Sequence, residues 1–147
     1  MEKVNPITDV FWLLGEWEGE IDENGQKFDS TLCCEMFGAE IVKYTLSYKK
    51  GKRPIREESG FFLYDKTREK IKHLIINNEG YTEMLNVNIE NRAKEIRFTS
   101  YFESGYNIPP NIKIERIFAK ESKTEMILEV KIGESLKTYS QGSLSKK

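Results

Sequence analysis

The chain has 147 residues, 38% hydrophobic and 32% charged, with a net charge of −1. That is the length of one domain, here 1–147, able to bury a core without disulfides or a structural metal. Lys and Arg are interleaved with Glu rather than gathered in a stripe, which argues against a nucleic-acid partner, and the apolar run Val10-Phe11-Trp12-Leu13-Leu14 is far short of the roughly 20 residues a membrane helix needs.

The chain opens with a helix signal. Pro6-Ile7-Thr8-Asp9 offers an N-cap and Gly15 a stop, so residues 6–14 are predicted to form a short helical plug. From Gly15 onward the pattern changes to strand-length segments separated by turn signals. Asn24-Gly25 is the strongest, since a type I′ turn needs φ > 0 at both central positions. Further breaks fall at Phe37-Gly38, Lys50-Gly51, Asp65-Lys66, Asn78-Glu79-Gly80, Asn91-Arg92, Ser104-Gly105 through Pro109-Pro110, Glu121-Ser122 and Gly133-Glu134. They delimit about ten short strands, the spacing of an all-β, antiparallel up-and-down barrel or a sandwich.

Between these breaks the residues alternate. Val42, Tyr44, Leu46 and Tyr48 share one face; Tyr81, Glu83, Leu85, Val87 and Ile89 share another; Met126, Leu128, Val130 and Ile132 a third. A helical period fits none of them as well. Cys33 and Cys34 are adjacent, so on a strand they point to opposite faces and are not expected to pair; a reducing cytoplasm is the expected address. Two cysteines and one histidine leave little for a zinc site. His73, in Ile71-Lys72-His73-Leu74, reads as a strand histidine hydrogen-bonded to a neighbour or to water. Arg56 and Glu58 share a face with Gly60 and Phe62. That face looks either into a cavity, where an Arg–Glu pair could hold an anionic head group, or out to water, where the pair is worth little.

The segment Trp12-Leu13-Leu14-Gly15-Glu16-Trp17-Glu18-Gly19-Glu20 resembles the Gly-x-Trp opening of calycin barrels, which include lipocalins and fatty-acid-binding proteins. Its longer form, Leu-Leu-Gly-x-Trp-x-Gly, resembles the nitrobindin family of ferric-haem-binding barrels. Arg53-Pro54-Ile55-Arg56-Glu57-Glu58-Ser59-Gly60-Phe61 is similar to that family's Pro-x-His-x-Glu-Ser-Gly-aromatic strand, and the run from Gly133 to Leu144 to its closing strand. The resemblance implies a ten-stranded barrel of about calycin type, in which Gly15, Trp17 and Gly19 close the base and Arg56, Glu58, Phe62 and Tyr139 meet the ligand.

The same resemblance implies haem held by a histidine of the last strand, in a pattern like His-Leu-x-Ala-x-Leu. Here that run reads Tyr139-Ser140-Gln141-Gly142-Ser143-Leu144, and Arg56 stands where the family carries a second pocket histidine. Tyr139 is then either a phenolate ligand, if haem binds, or a hydrogen-bond donor to some other ligand. A phenol titrates near pH 10, so ionising one at pH 7 costs about 4 kcal/mol. Leu136, Thr138, Ser140, Gly142 and Leu144 occupy the opposite face, so either the strand bulges at Tyr139 or the tyrosine points elsewhere.

The expected function is a carrier or sensor of a small hydrophobic, planar or amphipathic ligand, with neither cofactor nor metal and no chemistry of its own. The alternatives are a haem protein acting on nitric oxide or peroxynitrite, as the resemblance implies, and a filled barrel that binds a protein partner on its outside. Oligomeric state is not legible in the sequence.

Overall fold

The computed structural model describes residues 6–92 and 95–147. Pro6–Leu13 form a 3₁₀ helix, and the strands that follow are β1 (Gly15–Glu23), β2 (Gln26–Phe37), β3 (Ile41–Lys50), β4 (Arg53–Asp65), β5 (Lys70–Asn77), β6 (Thr82–Arg92), β7 (Glu95–Tyr106), β8 (Ile114–Lys120), β9 (Glu125–Ile132) and β10 (Lys137–Lys146). Each strand runs antiparallel to its chain neighbour, and β10 returns to pair with β1, so the ten described strands close into a barrel. Closure removes both sheet edges and satisfies the backbone groups that an open sheet would leave unpaired. The up-and-down barrel expected from the turn spacing is the fold. The break expected at Asn91-Arg92 falls later, because β6 runs through Arg92; the residues joining it to β7 lie outside those described.

The alternation in the sequence is the alternation of the wall. Val42, Tyr44, Leu46 and Tyr48 of β3 are all buried, with the residues between them only half-buried. On β10, Ser140, Gly142 and Leu144 face inward. Asn24 and Gly25 both take positive φ (50° and 86°), the pair of values a type I′ hairpin requires, and Asp22 Oδ1 accepts from Gly25 N at 3.0 Å.

One end of the barrel is plugged. Ile7, Val10 and Leu13 of the 3₁₀ helix are buried against it. Trp17, fully buried, donates its Nε1–H to the Leu13 carbonyl at 2.8 Å, tying strand to helix across the short turn at Gly15. Gly15 makes that turn at φ 121°, which no side-chain-bearing residue adopts without strain. Trp12 meets Trp17 edge-on (6.1 Å between ring centroids) and lies 5.3 Å from Phe98, while Gly19 sits in register between Ser30 and Leu144. The plug is thus the 3₁₀ form, one residue shorter than the 6–14 span expected. Among the described residues no helix is long and apolar enough to cross a membrane.

Trp17 fills the tapered end with an indole that also makes a directed hydrogen bond. Trp17→Ala is expected to cost about 3–5 kcal/mol in urea unfolding. A loss below roughly 1 kcal/mol would mean the ring is peripheral to closure.

A two-sided cavity above a charged floor

The other end of the barrel is open. There a cavity of about 390 Å³ is bounded by the first residues of β4, β6, β8 and β10 and the last of β1, β5 and β9. Its two sides differ in chemistry. Ile108, Pro109, Ile112, Ile114, Val130 and Ile132 make one side apolar, while Glu23, Arg56, Glu58, Glu79, Glu83 and Arg116 make the other charged. Tyr48, Tyr81 and Tyr139 stand among them.

The charged side is one connected chain of side chains. Arg56 grips Glu23 with both terminal nitrogens, Nη1 donating to Oε2 at 3.0 Å. Arg116 grips Glu83 through Nε, which donates to Oε1 at 3.0 Å, and Nη2, which donates to Oε2. Glu58 lies between the two guanidiniums, 3% exposed, with Oε1 at 3.7 Å from Arg56 Nε and Oε2 at 3.5 Å from Arg116 Nη1. Those are ion-pair separations, too long for hydrogen bonds. Oε2 of Glu58 and Nε of Arg56 are buried with no hydrogen-bond partner among the described residues. The Tyr48 ring covers the Arg56 guanidinium at 4.2 Å, which further fixes the arginine in place. Burial alone would push both guanidiniums toward neutrality, but the surrounding carboxylates outweigh it and hold each more firmly protonated than a free arginine.

Beneath this layer the barrel is filled. His73, fully buried, stacks on Phe62 (4.2 Å between centroids) and touches Phe118 edge-on. Its Nε2 lies 2.7 Å from the Tyr44 hydroxyl and its Nδ1 2.9 Å from Ser100 Oγ, so both ring nitrogens are committed. Tyr44 reaches it because β4 carries Gly60 opposite; a Cβ there would overlap the tyrosine ring. Burial, assisted by the Arg116 charge, pushes His73 well below its ordinary 6.5, and burial beside Glu58 pushes the Tyr44 phenol well above its ordinary value. The histidine is a neutral piece of the core with two hydrogen bonds. No group of three or more potential metal ligands occurs among the described residues.

The sequence-predicted residues divide between the two layers. Arg56, Glu58 and Tyr139 all line the cavity. Phe62 does not; it belongs to the aromatic floor around His73. Gly15, Trp17 and Gly19 lie at or toward the plugged end. The β10 register skips from Thr138 opposite Lys131 to Ser140 opposite Val130, so the strand bulges at Tyr139 and the residues after it keep their inward alternation. Tyr139 is 40% exposed at the cavity rim, and its carbonyl accepts from Asn24 N. Sequence reasoning missed Glu23, Glu83 and Arg116. Glu83 on an apolar face, and Arg116 between Ile114 and Phe118, were the available signals; Glu23 gave none.

A family model for THAP4-like, heme-binding beta-barrel domains matches residues 6–146. No curated protein matches the sequence significantly. Among solved structures, Rv2717c from M. tuberculosis superposes with a TM-score of 0.80 at 14% identity, over 99% of each chain. A redesigned β-barrel gives a TM-score of 0.49 at 10% identity, covering 100% of this chain and 99% of its own.

Two outcomes follow from the floor. Arg116→Met leaves Glu83 buried without its cation and Glu58 with Arg56 alone, and is expected to cost about 3–5 kcal/mol on urea unfolding; a neutral result would show the network to be solvated. Below pH 6.5 the unfolded chain gains a proton on His73 that the folded chain refuses, so stability present above that value is lost on acidification. The loss is expected to reach about 1 kcal/mol by about pH 5.5. Repeating the measurement on His73→Gln should flatten that part of the profile.

Proposed function

We propose that this chain, which belongs to the family of THAP4-like, heme-binding β-barrel domains, is a carrier or sensor that holds a small amphipathic molecule in the open half of the barrel. The observation that carries this reading is the two-sided cavity. Its volume of about 390 Å³ falls within the usual range for small-molecule sites, roughly 300–1,000 Å³. An apolar wall faces a polar one, so a ligand with both characters can satisfy each. We propose a cytoplasmic address, where the exposed thiol of Cys33 would stay reduced.

The donors around the cavity do not fit a haem held as the family resemblance implies. His73 lies under the floor with both nitrogens engaged, and the wall offers Tyr139, carboxylates and guanidiniums instead. A porphyrin needs an axial donor and apolar enclosure, whereas here one whole side is charged. Arg56 also stands paired with Glu23 through both terminal nitrogens, so a propionate would have to share the guanidinium with that carboxylate.

The reading of Tyr139 as a phenolate ligand keeps one observation in its favour, the bulge that brings this residue to the cavity rim. Titration of haemin, followed by absorbance, separates the two. Weak, non-saturating binding is expected for the wild-type protein, with affinity rising at least ten-fold in Tyr139→His, about 1.4 kcal/mol or more. Tight wild-type binding that Tyr139→Phe abolishes would establish a tyrosinate haem protein and overturn this assignment.

A further inference from the structure

The charges on the cavity wall specify more than polarity. Four carboxylates (Glu23, Glu58, Glu79 and Glu83) and two guanidiniums (Arg56 and Arg116) line it, a formal charge of −2, and among the described residues no lysine joins them. The sequence had suggested that arginine on this face would hold an anionic head group. The structure changes that expectation, because each arginine is already gripped by its own glutamate. Of the remaining N–H groups of Arg56, Nε lies 3.7 and 3.9 Å from Glu58 and Glu79, beyond hydrogen-bond length. An anion entering here would share each arginine with the glutamate that already holds it and would stand among four carboxylates.

Glu58 is in the opposite situation. Its carboxylate can accept about four hydrogen bonds, yet Oε2 accepts none, and its two ion-pair contacts are long. A second, smaller space of about 20 Å³ adjoins it, walled by Tyr44, Tyr48, Arg116 and Ser140. A buried acceptor left this way is costly unless a donor completes it. Neither guanidinium reaches Oε2 at hydrogen-bond length, and a donor that does so while carrying positive charge would also offset the excess of carboxylates.

Resting on the cavity-binding reading, we infer that the cavity selects an organic cation, a protonated amine on a flat apolar body. The ammonium donates to Glu58 at the floor. The body lies along Ile112, Ile114, Val130 and Ile132, with Tyr81 and Tyr139 at the rim. Tyrosine faces near a cation add attraction of their own, and Glu79, half-exposed at the mouth, draws a cation in.

Three probes of matched shape test this at neutral pH: naphthylethylamine, naphthylethanol and naphthylpropionate, titrated into the whole protein and followed by amide NMR shifts. The amine is expected to bind at least ten-fold more tightly than the alcohol, and the carboxylate most weakly, the order expected when a charge-assisted hydrogen bond is formed in a partly desolvated site. In Glu58→Gln the amine should lose about ten-fold or more while the alcohol changes less than about three-fold. Should that variant fail to fold, the wild-type shifts locate the site: perturbation at residues 77–83 and 112–116 supports the inference, and perturbation confined elsewhere overturns it. Equal binding of all three probes, or preference for the carboxylate, would overturn the cation inference while leaving cavity binding intact. If none of the three perturbs the cavity residues, cavity binding itself fails and the inference with it.

Discussion

A glutamate shared by two arginines inside a barrel is the constraint around which the rest is arranged. Glu58 sits at mid-height with Arg56 on one side and Arg116 on the other, and neither guanidinium is free, because Glu23 and Glu83 hold their other edges. Charges taken out of water are tolerated only when paired. The five side chains therefore have to stay together, and they come from β1, β4, β6 and β8. Their layer joins strands that are far apart around the wall and divides the interior into a filled half and an open half.

Below the layer, everything is neutral. His73 is the most polar member of that half, and it is accommodated by Tyr44 and Ser100 on its edge and Phe62 on its face. The arrangement explains why a histidine can sit in the core without acting as a ligand. Its two nitrogens each have a partner, and the positive charge of Arg116 nearby opposes protonation. Of the buried polar side-chain atoms left without a hydrogen bond among the described residues, Arg56 Nε and Glu58 Oε2 belong to the layer beside the cavity, and Trp12 Nε1 lies at the plugged end.

Family membership rests on the barrel, whereas ligand chemistry rests on the side chains at its open end. The barrel is the family's architecture, and in this chain its plug and tryptophan closure depend on strand pairing and on a large buried ring. The donors at the open end do not depend on those features. Replacing them leaves the wall intact, so a barrel of this kind can exchange one ligand class for another while keeping its shape.

The approximate number of strands, their turns and which side chains share a face were legible in the sequence, because they rest on local rules. A period of two assigns faces, and positive-φ positions such as Asn24-Gly25 mark hairpins wherever they occur. The Gly15-x-Trp17 opening could be read for the same reason, its partner Leu13 being only four residues away. The site was only partly legible. Arg56 and Glu58 drew notice as charged residues sharing a face, and Tyr139 through its place in the closing strand. What Arg56 would pair with was not readable, for Glu23 lies 33 residues earlier, and the same separation divides Glu83 from Arg116. Nor does spacing reveal that His73 meets Tyr44 and Ser100, which are 29 and 27 residues distant. Strand alternation determined which residues share a face, as Arg56 does with Glu58, and left open whether that face looks inward. Which charge neutralises which was decided only when closure of the barrel brought distant strands face to face across its interior.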